Sequence, residues 1–172
     1  TAFIGIVIIS GLIFSYFNNI VEVRSNISIQ TDLFIQQVLK GRISIYQFLR
    51  TPDETKAKIV KEDFEALNSS VLELQSKLYI KENIELCDEI IKLSKNYIKS
   101  FDEFAQKRIN DYKNGIEKES PEILATIKQM VDIGLNLEKN LARINENTKI
   151  VKEGAMNKMD IALILIAIIS VL

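Results

Sequence analysis

The chain has 172 residues, with 22 Lys and Arg against 23 Asp and Glu, a net charge of -1 and no histidine. That balance leaves no basic field for nucleic acid, and six glycines with two prolines are too little punctuation for an all-β domain. With no histidine and the single Cys87, zinc sites of the usual ligand sets, Ser-His or Cys-His nucleophile pairs, haem on a proximal histidine and di-iron bundle motifs are excluded, so no metal, cofactor or enzymatic activity is expected.

The first element is apolar. Ala2 to Phe17 carries no charge and the run continues to Val21 before Glu22, approaching the roughly 20 residues that a spanning helix needs. Phe14-Ser15-Tyr16-Phe17-Asn18-Asn19 has the aromatic and polar make-up of a membrane rim, and no A-x-A-like cleavage site follows it. Residues 1–21 are therefore expected to form a transmembrane helix, against the alternatives of a signal peptide or a buried core helix.

The helix is expected to continue into a polar region. Ile27, Phe34, Gly41 and Phe48 recur seven apart, so Gly41 removes a side chain from an apolar stripe. Beside it Arg42, Tyr46 and Arg50 lie four apart and project from one side. At Thr51-Pro52-Asp53-Glu54 the pattern restarts, with Thr51 expected as N-cap, Pro52 as the first helical residue and Glu54 closing a capping box. Val60, Phe64, Leu67, Val71, Leu74 and Leu78 then alternate steps of four and three, the seam of a second helix.

A tight turn is expected between Tyr79 and Glu82. The third helix carries Leu86, Ile90, Leu93, Tyr97, Phe101 and Phe104 on one stripe, with Ile84, Ile91, Ile98, Ala105 and Tyr112 beside it. Its aromatic run reads as core filler. Cys87, among Leu86, Ile90 and Ile91, reads as inert packing, with an intermolecular bridge or a reactive thiol as the other possibilities. Ser120-Pro121 is expected to cap and open the fourth helix, whose seam runs Ile123, Ile127, Met130, Gly134, Leu137, Leu141, Ile144, Thr148, Val151, Ala155. That seam enters Ile161 to Leu172, which is uncharged to its last residue. Residues 160–172 are expected to begin a second transmembrane helix, both ends of the sequence reading as cuts through a longer chain.

Helices of roughly 29 residues up, 26 down, 35 up and 39 down return the path to its starting level. The expected fold is thus all-α: an up-down-up-down antiparallel four-helix bundle over residues 22–159, flanked by two transmembrane helices. Counted from the membrane, Tyr46 and Gly134 both stand about 25 residues above it, and Arg50 is level with Gln129 and Met130. Arg42, Tyr46, Arg50, Gln129 and Gly134 are accordingly the candidate ligand-binding residues, in a pocket between the first and fourth helices or across a dimer interface, with arginine gripping a carboxylate. The plainer reading is that the glycines let helices approach and the arginines snorkel along the surface. Carboxylate pairs such as Asp88/Glu89, Asp102/Glu103 and Glu117/Glu119 sit among lysines on polar faces and read as solvated surface.

This layout resembles the ligand-binding region of bacterial methyl-accepting chemotaxis proteins, of the kind found in aspartate and serine receptors. Locally, Arg42-Ile-Ser-Ile-Tyr46-Gln-Phe-Leu49-Arg50-Thr51-Pro-Asp53 and Asn96-Tyr97-Ile-Lys-Ser-Phe101 are similar to stretches of the helical-bimodular branch, of which this would be a short form. The resemblance implies a homodimer in the bacterial inner membrane with the bundle in the periplasm. It further implies a small ligand and a signal passed through the last helix and second span to a cytoplasmic HAMP linker and signalling hairpin. In the aspartate-type receptors first-helix arginines and a polar fourth-helix residue bind the ligand, places that Arg42, Arg50 and Gln129 would occupy here. Sensor histidine kinases and diguanylate cyclases carry similar bundles, and the sequence after Leu172 would separate them. A structural coiled-coil membrane protein without ligand is the reading from another class.

Overall fold

In the computed structural model, which describes residues 2–171, the protein consists of helices α1 (Ala2–Arg50), α2 (Glu54–Gln75), α3 (Lys81–Lys113) and α4 (Pro121–Val171), with no strand among the described residues. By compactness the chain divides into two units, residues 31–144 and residues 1–30 with 145–172.

In the unit 31–144 the helices pack against one another in a bundle whose cross-contacts run antiparallel. Between α2 and α3, Lys61 pairs with Asp102 at 3.0 Å while Gln75 Nε2 donates to Asp88 at 2.8 Å, so one index rises as the other falls. Between α3 and α4, Arg143 reaches Glu82 at 2.8 Å and Lys107 reaches Glu122 at 2.6 Å. The core follows the seams. Val60, Phe64, Leu67, Val71 and Leu74 of α2 are buried, as are Leu86, Ile90, Tyr97, Phe101 and Phe104 of α3 and Ile123, Met130, Leu137 and Leu141 of α4. Phe48 of α1 meets Phe101 and Phe104 edge-on at 5.0 and 6.3 Å, an aromatic cluster that adds about 0.5–1.5 kcal/mol per pair to area burial. Cys87 is fully buried, and desolvation pushes its thiol up to about 12.

Three helix ends depart from expectation. The cap of α2 is Asp53, not Thr51: its carboxylate accepts the Lys56 amide at 2.8 Å, and Pro52 lies before the helix rather than in it. A carboxylate satisfies an orphan amide and faces the positive end of the helix dipole, and proline drives Thr51 out of helical geometry. α2 stops at Gln75, so the turn into α3 begins earlier than Tyr79. α3 stops at Lys113 because Asn114-Gly115 forms a left-handed cap. Gly115 has φ 76°, and the amides of Gly115 and Ile116 bond the carbonyls of Tyr112 and Asp111 at 3.0 and 2.9 Å, the Schellman arrangement. Arg108, almost fully buried, holds the following loop by donating to the carbonyls of Ile116 and Glu117 at 2.9 and 2.7 Å. α4 opens as expected, with Pro121 first and Ser120 Oγ accepting the Ile123 amide at 3.4 Å.

In the unit formed by residues 1–30 and 145–172, Ser28 Oγ donates to Asn145 Oδ1 between the two helical segments. Arg24, Ile27, Thr148 and Ala155 are buried. Burial lowers the pKa of Arg24 below the ordinary arginine value. The apolar runs stay uncovered: Leu12 is 67 % exposed and Ile169 62 %. Among the described residues one helix is long and apolar enough to cross a membrane, with a window of mean hydropathy 1.9 inside Ile4–Arg50, none of it buried.

Candidate functional site

The five sequence-derived site residues do not form one cluster. Arg42 and Gly134 meet: a Cβ built on Gly134 would stand 3.5 Å from Arg42 Cδ and 3.9 Å from Tyr97 Cε2. The missing side chain of α4 is thus the floor on which the α1 arginine lies. Arg42 does not end in open space, because its Nη1 donates to Glu138 Oε1 at 2.5 Å, an ion pair with both side chains about three-quarters covered. Glu138 lies one helical turn beyond Gly134, so glycine and carboxylate present the same face.

Tyr46 lines a cavity with Arg42, Ile45, Leu49 and Tyr97, closed from α4 by Ile127, Met130 and Val131. Its volume is about 30 Å³, room for a water and not for an organic acid. Tyr97 is buried, and desolvation raises its pKa above the ordinary tyrosine value, the nearby Arg42 opposing this. The hydroxyl therefore stays protonated and available as a donor at neutral pH.

Arg50 and Gln129 lie elsewhere. Arg50 is exposed at the end of α1 and does not line this cavity. Gln129 belongs to a groove between α3 and α4 with Asn96, Lys99, Ser100, Glu103 and Ile133, about 310 Å³ in volume. The register also differs by a turn from the count made along the sequence. Gly134 faces Arg42, while Tyr46 shares its cavity with Met130 and Val131.

The second glycine of the pattern leaves no gap. A Cβ on Gly41 would stand 2.6 Å from Phe64 Cε2, so the Phe64 ring already occupies the space. Phe64 in turn stacks on Tyr97 at 4.1 Å. The two glycines are therefore the two ends of one stack, Gly41 against Phe64, Phe64 against Tyr97, and Tyr97 against Gly134. Next to it Asp63, buried, accepts from Lys40 Nζ and Ser44 Oγ at 2.7 Å each, locking α1 to α2.

Sequence reasoning missed Glu138 and the role of Tyr97. The signal for Glu138 was its spacing of four from Gly134, an acidic residue on the face that Arg42 would meet. A third groove, between α2 and α3, is about 540 Å³ and is lined by Glu54, Lys58, Lys61, Glu62, Glu65 and Asp102 among others. The Lys61–Asp102 pair crosses it. Among the described residues no group of three or more His, Cys, Asp or Glu could hold a metal ion.

Comparison with known protein families, curated proteins and solved structures finds no match to this chain.

Proposed function

We propose that this chain is the sensory region of a bacterial transmembrane receptor of the chemotaxis type, which binds a small anionic ligand and passes the signal along α4. In this reading residues 1–21 and 160–172 belong to membrane spans. Residues 22–159 form an up-down-up-down antiparallel four-helix bundle on the periplasmic side of the inner membrane. The observation that carries it is the pairing of a covered seam with uncovered ends. Ile4, Ile8, Leu12, Ile161, Ile164 and Ile168 are all more than half exposed, whereas the seam residues Phe48, Leu67, Leu137 and Leu141 are sealed. In water such ends would aggregate, and a hydrocarbon layer is the solvent that accepts them.

Arg42, Glu138, Tyr46 and Gly134 form the ligand switch. Glu138 holds the arginine in the place that a ligand carboxylate would take, so binding exchanges one carboxylate for another and frees a side chain on α4. Because α4 runs as one helix from Pro121 to Val171, a displacement at Glu138 has a continuous rod to travel along. The protein works as a homodimer, supported by Leu39, Ile43 and Tyr46, an exposed strip on α1 at steps of four and three. No catalytic step is assigned to it. Output to a histidine kinase or a diguanylate cyclase fits the same bundle, and a ligand-free coiled-coil scaffold is the reading that the Arg42–Glu138 pair disfavours, since a scaffold has no use for an exchangeable, partly covered charge.

The test is membrane topology. Single cysteines at Leu12, Lys56 and Ile164 in a Cys87→Ala background, expressed in bacterial cells, are treated with a membrane-impermeant thiol reagent. Labelling at position 56 alone supports the reading. Labelling at all three positions in intact cells or spheroplasts would refute the two spans.

A further inference from the structure

The groove between α3 and α4 holds opposite charges that do not neutralise each other. Its lining is Asn96, Lys99, Ser100 and Glu103 from α3 with Gln129 and Ile133 from α4, five polar groups and one apolar one. Lys99 and Glu103 are one turn apart in the order Lys then Glu. The same order and spacing gives ion pairs at Lys58–Glu62 and Lys81–Glu85, both at 3.4 Å. Lys99 and Glu103 make no ion pair or hydrogen bond among the described residues. The volume of about 310 Å³ is at the lower bound of small-molecule sites, roughly 300–1,000 Å³.

We propose that this groove is a second binding site, distinct from the Arg42–Glu138 switch, and that it takes a small zwitterion such as a polar α-amino acid. Lys99 meets the carboxylate and Glu103 the ammonium, each a charge-assisted contact stronger than a neutral one. The amides of Asn96 and Gln129 and the hydroxyl of Ser100 supply donors and acceptors for a short polar side chain. Ile133 packs against its carbon atoms. A plain carboxylate would satisfy Lys99 and face Glu103 with like charge, and a plain amine would do the reverse, so the pair selects for a ligand carrying both signs. The proposal rests on the sensory reading only for its purpose. Its chemistry stands apart from it.

The experiment titrates the whole chain in lipid nanodiscs with glycine, L-serine and L-asparagine, and with acetate and ethylamine as single-charge controls, by calorimetry to about 10 mM, near the weak limit of specific binding. The expected result is saturable binding of at least one of the three amino acids. Lys99→Gln and Glu103→Gln should each weaken it about tenfold or more, the cost of losing one charge-assisted contact. Acetate and ethylamine should bind at least about tenfold more weakly than the amino acid. Absence of binding by all three amino acids overturns the proposal, as does acetate binding as tightly as the best of them. Binding that ignores both groove variants but is lost in Arg42→Ala assigns the ligand to the α1–α4 switch, refuting the groove and leaving the sensory reading intact.

Discussion

Arg42 and Glu138 face each other across α1 and α4, Nη1 to Oε1 at 2.5 Å, with the arginine stem lying in the space that Gly134 leaves open. The pair is about three-quarters covered, so it is more than a surface contact, yet it stays near enough to solvent for a competing carboxylate to reach it. A charge already satisfied on site keeps the arginine from being stranded when no ligand is present.

The two seam glycines should respond to alanine with opposite signs. Gly41→Ala puts a methyl 2.6 Å from the Phe64 ring, which is pinned by its stack on Tyr97, so overpacking of about 1–3 kcal/mol outweighs the roughly 1 kcal/mol of helix propensity gained. Gly134→Ala meets Arg42 Cδ at an ordinary 3.5 Å and should gain about 0.5–1 kcal/mol. Thermal melts of the two variants read this directly. A rise in both would mean that Phe64 is free to move aside.

Arg108→Ala should cost about 1–3 kcal/mol, because it strips the Ile116 and Glu117 carbonyls of their donors and leaves a void against Tyr112. Faster amide hydrogen exchange at residues 114–120 is the specific sign, whereas a surface arginine would leave exchange there unchanged.

At the start of α2 the Lys56 side chain and amide together hold the Asp53 carboxyl below the ordinary aspartate value of 3.8. A depressed carboxyl stabilises the folded state above its unfolded pKa, and that contribution is lost as pH falls through the lower folded value. The Lys56 amide resonance should therefore titrate with a midpoint below 3.8. A midpoint at or above that value would remove the capping role.

Cys87 should resist thiol reagents at pH 8, since burial keeps the thiolate scarce and the sulfur out of reach. Reaction with a chromogenic disulfide should begin only with unfolding, and prompt reaction in the native protein would show that α3 opens locally.

Much of the helix pattern was legible because steps of three and four survive in every seam, from Val60 to Leu78 and from Ile123 to Ala155. Ser120-Pro121 was legible for the same local reason, a cap whose chemistry lies within four residues. Helix ends set by competition were harder. Thr51 and Asp53 are both good caps, and only the geometry imposed by Pro52 chooses between them. The site was legible in part. Gly134 and Arg42 could be read as neighbours, but sequence spacing carries no information on rotation between helices, so Arg50 and Gln129 were assigned to a face they do not occupy. Gly41 looked like a gap because the ring that fills it arrives from another helix.

The central claim is that Glu138 stands in for a ligand carboxylate on Arg42. Calorimetric titration of the whole chain in nanodiscs with acetate, lactate, succinate and citrate tests it, run on the native protein, Arg42→Ala and Glu138→Ala. The account predicts that one of these acids binds, that Arg42→Ala removes about 1.5–3 kcal/mol, roughly ten- to a hundredfold in affinity, and that Glu138→Ala tightens binding by removing the competitor. Binding that is indifferent to Arg42, or weakened by loss of Glu138, would contradict it.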